Sequence, residues 1–369
     1  MIQESYYVPI NINYKKGTTL SGSVPMSVLV SNTATSTKIY STLQQVQSDY
    51  QSPSAPELLA ATTYFANGGT ELLIFQQGSD VSDTDALNSL LSSYSNFIWV
   101  TFAQEKTIEQ IQTISEVLSS TEQQYDKFLA LTTNIENAPT TLNDAGISNV
   151  ALLYQNTTAL GSTLTPYSAI VISAYFSGIN LDQPNSLKSI VHTKLSSISA
   201  SDVNSTQLTN LVSGNWNVVV DLAGRFTTFD GGKMVNGQPI HSAWGFNIFK
   251  KNCEDTIIEL LLGKLTYENS SNAVIENAIG IVCNYFVNNG LIGTQRIYNQ
   301  DTQVESYNGV QYTTIEKGQT LVNGYYIYSI PVSVATPQDI ESGTIPPIYI
   351  YAVINDVIRI VTINGEVSK

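Results

Sequence analysis

The sequence predicts an α/β layer structure joined to an α+β region, and three observations support that reading. Between residues 24 and 176, apolar runs of strand length alternate with helical patterns, the order expected where parallel strands are joined by helical crossovers. At Trp216 the character changes to adjacent strands with strong turn signals, followed by two long helical patterns. Beyond Asn288-Asn289-Gly290 the pattern is β to the end of the chain. With 369 residues, 42% of them hydrophobic, the chain is long enough for two compact domains with cores of their own.

Tyr6, Val8, Ile10, Ile12 and Tyr14 alternate with Pro9, Asn11, Asn13 and Lys15, the period of a half-buried strand. Pro9 cannot donate to a ladder, which favours a sheet edge. Lys15-Lys16-Gly17 and Ser21-Gly22-Ser23 break regularity before the apolar run Val24-Pro-Met-Ser-Val-Leu-Val30. Two pairings stay open for residues 6–14: a hairpin with residues 24–30, or an exposed sheet edge of another molecule. Pro56 opens a helix over residues 57–66 that ends at Asn67-Gly68-Gly69, and the strand Glu71-Leu-Leu-Ile-Phe75 follows. Asp83 is the expected cap of a helix over residues 86–94. Next come the strand Phe97-Ile-Trp-Val-Thr-Phe102 and a longer helix with Ile108, Ile111, Ser115 and Leu118 on one face. Residues 128–132 and 150–154 read as short strands, and a helix over residues 167–176 follows Pro166. The stretch 177–214, rich in Ser, Asn, Asp and Thr, reads as surface helices and loops.

After Trp216, residues 217–222 and 224–229 read as strands, with turns at Asp230-Gly231-Gly232 and Asn236-Gly237. A helix over residues 244–262 carries Phe249, Cys253, Ile257 and Leu260 in line, and a second over 273–287 carries Val274, Ala278, Ile281 and Tyr285 in line. Strand patterns cover residues 310–315 and the run from Tyr325. At the end, Ile348-Tyr-Ile-Tyr-Ala-Val-Ile354 and Val357-Ile-Arg-Ile-Val-Thr-Ile363 flank Asn355-Asp356. Both ends of the chain thus read as strands without an evident partner inside it, which points to backbone pairing between molecules.

Composition excludes several function classes. The net charge of −14, from a chain in which only 12% of residues are charged, comes with no basic cluster and argues against nucleic-acid binding. The longest apolar runs, such as Ile257-Ile-Glu-Leu-Leu-Leu262, are far shorter than a membrane span, and no charged-then-apolar leader opens the chain. The 21 tyrosines suit broad polar contact surfaces, because the amphipathic ring covers area at low entropic cost. Cys253 and Cys283, the only cysteines, fall on apolar helix stripes and read as buried core residues. With His192 and His241 as the only histidines, a zinc site would have to recruit scattered residues, so none is expected.

No phosphate loop is expected, since neither Gly232-Lys233-Met234 nor Gly263-Lys264-Leu265 has the earlier glycine or the following Ser/Thr. A dinucleotide fingerprint is missing after each candidate strand. Asp221, Arg225, Asp230, Lys233 and His241 form the stretch in which catalysis would be sought, yet Asp-Gly and Asn-Gly turns use such residues for backbone reasons. No catalytic residue and no cofactor is expected. Lys250, Lys251, Glu254 and Asp255 sit off the apolar stripe of their helix at spacings that allow Lys250–Glu254 and Lys251–Asp255 pairs. Such a face is either solvated or docked on another protein. The sequons at Asn156, Asn204 and Asn269 read as incidental.

The final third resembles the conserved domain of contractile phage tail sheath proteins, in the branch formerly described only as a phage domain of unknown function. The residues that carry the likeness are Asn323-Gly-Tyr-Tyr-Ile-Tyr328, Pro346-Pro347-Ile348 and Val357-Ile-Arg-Ile-Val-Thr-Ile-Asn-Gly-Glu-Val367. The helix pair ending in Asn289-Gly290-Leu291-Ile292 and the strand with Gly224-Arg-Phe-Thr-Thr-Phe229 fit the same scheme. Tyr40-Ser-Thr-Leu-Gln-Gln-Val46, Ala55-Pro-Glu-Leu-Leu-Ala60, Tyr64-Phe65 and Glu71-Leu-Leu-Ile74 resemble the opening of the family's outer domain, and residues 6–14 its extended arm. Residues 77–215 match only in general α/β character. The stretch Asp339-Ile-Glu-Ser-Gly-Thr-Ile345 departs from the family, whose members often carry basic residues there.

The resemblance implies an N-terminal arm (1–22), an outer α/β domain (23–215), an inner conserved α+β sheath domain (216–347) and C-terminal strands with an arm (348–369). It implies an inner domain built from both chain ends, stacked hexameric rings of the chain around an inner tail tube, and contraction by rigid-body rearrangement. Partners would be further copies of itself, the tail tube protein, and baseplate and tail terminator proteins, with no nucleic acid and no membrane insertion. The location would be the virion tail, assembled in the host cytoplasm. Inter-subunit arm residues would be Tyr6, Val8, Ile10, Ile12, Tyr14, Ile358, Ile360, Thr362 and Ile363. Lys250, Lys251, Glu254 and Asp255 would face the tube. Twenty extended residues reach roughly 66 Å, enough to cross to a neighbour. A sheath-like part of a type VI secretion or related injection machine is the first alternative. The second is a small-ligand α/β enzyme, which would need titratable residues clustered after residues 75, 102 and 132.

Overall fold

The computed structural model describes residues 25–120, 126–156, 165–222, 224–263 and 265–355. The arm residues Tyr6, Val8, Ile10, Ile12 and Tyr14, and Ile358, Ile360, Thr362 and Ile363, lie outside the described residues.

The first part is an alternating series: β1 (Met26–Ser31), β2 (Lys38–Tyr40), α1 (Leu43–Asp49), α2 (Pro56–Ala66), β3 (Leu72–Gln76), α3 (Asp83–Ser93), β4 (Phe97–Phe102), α4 (Ile108–Ser120), β5 (Phe128–Thr133), α5 (Ala138–Asp144) and β6 (Val150–Tyr154). A 3₁₀ turn (Pro166–Ala169) leads into α6 (Ile170–Ser177); α7 (Ser205–Ser213), β7 (Asn217–Leu222) and β8 (Phe226–Asp230) follow. One eight-stranded sheet contains all these strands in the order β2-β3-β1-β4-β5-β6-β7-β8. Its six inner strands are parallel, and β2 and β8 are antiparallel at the two ends. The expected boundary at residue 216 therefore falls inside this sheet, because β7 continues the parallel series beside β6.

Continuous apolar runs explain the parallel strands: every residue of β1, β4 and β5 is buried, as expected where both faces are covered by helices. On one face Leu87 and Leu90 of α3, Ile111 and Ile114 of α4 and Leu142 of α5 pack on Val28, Val100 and Leu129. On the other, α2 and α6 cover Leu29, Leu72 and Ile74. Ser82, not Asp83, caps α3, its Oγ accepting from the Asp85 N–H at 3.1 Å. Asp83 instead pairs with Lys106 at 2.8 Å.

β1 is enclosed on both sides by its neighbours in the large sheet. β1 is bonded to β3 on one side and to β4 on the other, residue for residue from Ser27 to Val30. Both edges of β1 are thus occupied over Ser27–Val30, while residues 6–14 lie outside the described residues.

The second part contains α8 (Ile240–Leu262), α9 (Asn269–Asn288), β9 (Arg296–Ile297), β10 (Gln303–Tyr307), β11 (Val310–Ile315), β12 (Thr320–Leu321), β13 (Tyr325–Ser329), a 3₁₀ turn (Val332–Val334), α10 (Pro337–Ser342) and β14 (Ile348–Ala352). Gly231 lies at φ 96°, and a Cβ there would sit 2.3 Å from the Trp216 carbonyl oxygen. Only glycine fits the turn that leads from the sheet toward α8. A row of aromatic rings joins the two parts. Phe128 of β5 lies 5.2 Å from Trp99 of β4, Trp99 6.1 Å from Phe176 of α6, and Phe176 5.3 Å from Trp244 of α8. One continuous core holds this row together with Cys253, Ile279, Phe286 and Ile350. Cys253 and Cys283 are free thiols within it, and burial pushes both well above the usual thiol range. Among the described residues no helix is long and apolar enough to cross a membrane.

Candidate assembly site

The small sheet of β13 and β14 differs from the large one in how its edges are treated. In the large sheet, β2 is three residues long and carries Lys38, and the outer edge of β8 is covered. His192 N–H donates to Phe229 O and Leu195 N–H to Thr227 O, both at 2.8 Å. Short, charged or covered edges discourage further strand addition. β14, by contrast, has a strand partner on one side alone among the described residues. Against the expectation that residues 348–354 lack an internal partner, Ile348–Ala352 pairs antiparallel with Tyr325–Ser329.

Ladder geometry identifies which groups face away. Ile330 N–H donates to Pro347 O and Val353 N–H to Gly324 O, each at 3.2 Å. With the register Tyr326↔Tyr351 and Tyr328↔Tyr349, antiparallel alternation turns the main-chain groups of Tyr349 and Tyr351 toward β13. Those of Ile348, Ile350 and Ala352 therefore point the other way, where the described residues place no strand. Beside them runs a groove of about 270 Å³ lined by residues 350–354, by residues 297–300 and by Phe246 and Phe249 of α8. Exposed Ile297 sits at its rim.

Both faces of this two-stranded sheet are packed. Ile350 is 3% exposed in the large core beneath α8 and α9, whereas Tyr349 and Tyr351 join Tyr298, Ile315, Leu321 and Ile330 in a second cluster. Two strands alone are marginal in water, and the unbonded main-chain groups of an open edge are a template for a further strand. An edge of this kind can take a third strand by β-augmentation. Sequence reasoning recognised residues 348–354 as a strand but not Ile348, Ile350 and Ala352 as acceptors, because that distinction needs the ladder register.

The remaining expected site residues fall as follows. Lys251 and Glu254 are buried within the chain, at 2% and 5% exposure, so the face formed by Lys250, Lys251, Glu254 and Asp255 is not an open charged surface. Lys251 pairs with Asp255 as its spacing predicts. On α9 the expected apolar line is displaced by one residue: Ile275, Ile279, Val282 and Phe286 are buried, while Val274 and Ile281 are 43% and 71% exposed. The exposed side of α9 presents Val274, Asn277, Ile281 and Asn284 without a charge.

Asp221 and Arg225 are exposed. Asp230 Oδ1 accepts from Gly231 N–H at 2.7 Å, Lys233 Nζ donates to Val212 O at 3.3 Å, and His241 Nε2 lies 3.2 Å from Asn355 O. Each of these last three serves the main chain at a different place, and they do not converge. Among the sequons, Asn204 caps α7 and Asn269 Oδ1 accepts from Val332 N–H at 3.0 Å. Asp339, in the stretch that departs from the family pattern, caps α10 with Thr336 and accepts from Tyr307 Oη at 2.8 Å. A hollow of about 590 Å³ does lie at the carboxyl ends of the large sheet, lined by Asp83, Glu105, Lys106 and Glu109. Its lysine is bonded to both Asp83 oxygens.

No protein-family model matches the chain, and no curated protein sequence does. Solved structures do. A chain of the anti-feeding prophage baseplate superposes with a TM-score of 0.65 at 14% identity, covering 98% of this chain and 98% of that one. The anti-feeding prophage helical sheath in the contracted state gives 0.65 at 15% identity, over 97% and 98%. A sheath tail protein from Desulfitobacterium hafniense gives 0.54 at 8% identity, over 80% and 93%. The likeness spans the large sheet, the helix pair and the small sheet together, and the chain has the fold of the contractile tail sheath proteins.

Proposed function

We propose that this chain is the repeating subunit of a contractile sheath, in which copies are joined by strands lent from one molecule to another. The observation that carries this reading is the packed two-stranded sheet whose Ile348, Ile350 and Ala352 groups face a groove. β13 and β14 each carry one strand neighbour among the described residues, and the chain has two strand-patterned tails. Two tails and two edges suit a mesh in which each molecule both gives and receives. The subunits form hexameric rings stacked around an inner tube, with baseplate and terminator proteins at the ends.

The work of such a sheath is mechanical. A difference of a few kcal/mol per subunit between an extended and a contracted arrangement becomes large when many copies switch in sequence. The aromatic row from Phe128 to Trp244 makes each copy move as one body, while the lent strands keep the mesh continuous. No bond is made or broken, so the reading assigns no catalytic residue and no cofactor.

The tube-facing surface is assigned to the uncharged side of α9, in place of the partly buried charged face of α8. Ile281→Glu is expected to reduce co-sedimentation with the tube protein by about tenfold while self-assembly persists, since burying an unpaired carboxylate is costly. Equal co-sedimentation would remove α9 from the interface. The reading as a whole is tested by deleting residues 1–16 or 356–369. Each truncated chain should remain a folded monomer, whereas the full chain forms tubes visible by negative-stain microscopy; truncated chains that polymerise normally would refute it.

A phage tail that delivers a genome is the first setting for this sheath. An injection particle is the second, favoured by neighbours that cover 97% or more of the chain, which come from the anti-feeding prophage and from an extracellular contractile injection system. Co-purification with a capsid supports the first, and capsid-free particles support the second.

A further inference from the structure

The two terminal runs, residues 348–354 and 357–363, are separated by two residues, Asn355-Asp356. That spacing is the pattern of a tight hairpin. Such a hairpin would lay residues 357–363 along the chain's own β14 and occupy the very edge that strand exchange requires.

The geometry at Asn355 opposes this closure. The common two-residue hairpin loops need φ > 0 at their first central residue, and Asn355 is not among the residues with positive φ. Instead the main chain at Ile354 and Asn355 pairs with the segment that follows α9. The Asn355 N–H donates to Leu291 O at 2.7 Å, and an antiparallel bridge joins Ile354 to Ile292. Its carbonyl oxygen lies 3.2 Å from His241 Nε2, its Nδ2 donates to Gly290 O at 3.1 Å, and its Oδ1 accepts from Arg296 Nη2 at 2.9 Å. Main chain and side chain are both held, by the start of α8, the exit of α9 and β9. Gly293 makes room for the clamp: a Cβ there would stand 2.3 Å from Asn355 Oδ1.

We propose that Asn355 is a positioning residue that keeps the chain straight past the end of β14, so that the C-terminal segment cannot close its own edge and the edge stays available to a second copy. The inference rests on the strand-exchange reading above. It accounts for a sequence that carries a hairpin pattern at the point where assembly needs an open end. Each of the four hydrogen bonds is modest alone, but together they oppose the change in φ that a tight turn demands.

The test is amide exchange on the full chain below the concentration at which it assembles, with sedimentation above it. In the native chain the amides of Ile350 and Ala352 should exchange rapidly. Asn355→Gly removes the side-chain bonds and frees φ; the same amides should then exchange at least tenfold more slowly, and the sedimented fraction should fall at least tenfold. Asn355→Asp, which keeps the acceptor for Arg296 and the main-chain bonds but loses the donor to Gly290 O, should show the same slowing in part. Should Asn355→Gly not fold, Arg296→Ala, which removes one bond, should show the same slowing in part. Unchanged exchange at Ile350 and Ala352 in these variants would overturn the clamp, whether or not they assemble. A native chain that never assembles would instead refute the sheath reading, and the exchange comparison would still decide the role of Asn355.

Discussion

Ala352→Pro is expected to leave the fold intact and to weaken polymerisation by roughly 30-fold or more per interface. The Ala352 N–H points away from β13, so a proline there costs the β13–β14 ladder nothing. An incoming strand, however, loses a donor and is left with an unbonded carbonyl buried in the new interface, about 2 kcal/mol or more. Tyr351→Pro is the informative contrast. The Tyr351 main chain faces β13, so that proline should break the small sheet and lower the melting temperature of the monomer. Circular dichroism and sedimentation separate the two outcomes. Equal polymerisation of the native and Ala352→Pro chains would mean that the β14 edge takes no strand.

Trp244→Ala is expected to cost about 3–5 kcal/mol, the range for removing a buried aromatic side chain, and to lower Tm by on the order of 10 °C. Trp244 is 1% exposed and its ring lies 5.3 Å from Phe176, which in turn stacks on Trp99. The substitution cuts the row that ties the sheet layer to α8. Trp244→Phe, which keeps an aromatic ring in the row, should lose about half as much or less. A Trp244→Ala chain that melts within about 2 °C of the native one would show that the two parts do not depend on this contact.

Much of the architecture was legible from the pattern of residues. The buried runs at 26–31, 72–75, 97–102 and 128–133 stand out because a parallel sheet covered on both faces needs no alternation. Short or mixed-polarity elements were not legible: Lys38–Tyr40 and Gln303–Tyr307 are held by the ladders they join and not by their own composition. The change of character at Trp216 does not interrupt the large sheet, because β7 pairs with β6 across the long polar crossover. On α9, Val274 and Ile281 lie one position from the buried Ile275 and Val282. Two adjacent lines of apolar residues fit the helical period equally well, and only packing against β13 and α8 selects between them. The acceptor groups of Ile348, Ile350 and Ala352 were beyond reach for a related reason. Residue type does not reveal which way a main-chain N–H points, and the register Tyr326↔Tyr351 does.

A cryo-EM map of the assembled polymer tests the central claim most directly. The account predicts an extended strand about 4.8 Å from β14 on the side away from β13, traced to a different copy of the chain and bonded to Ile348, Ile350 and Ala352. A polymer in which that edge is bare, or is filled by residues 357–363 of the same molecule, would contradict it.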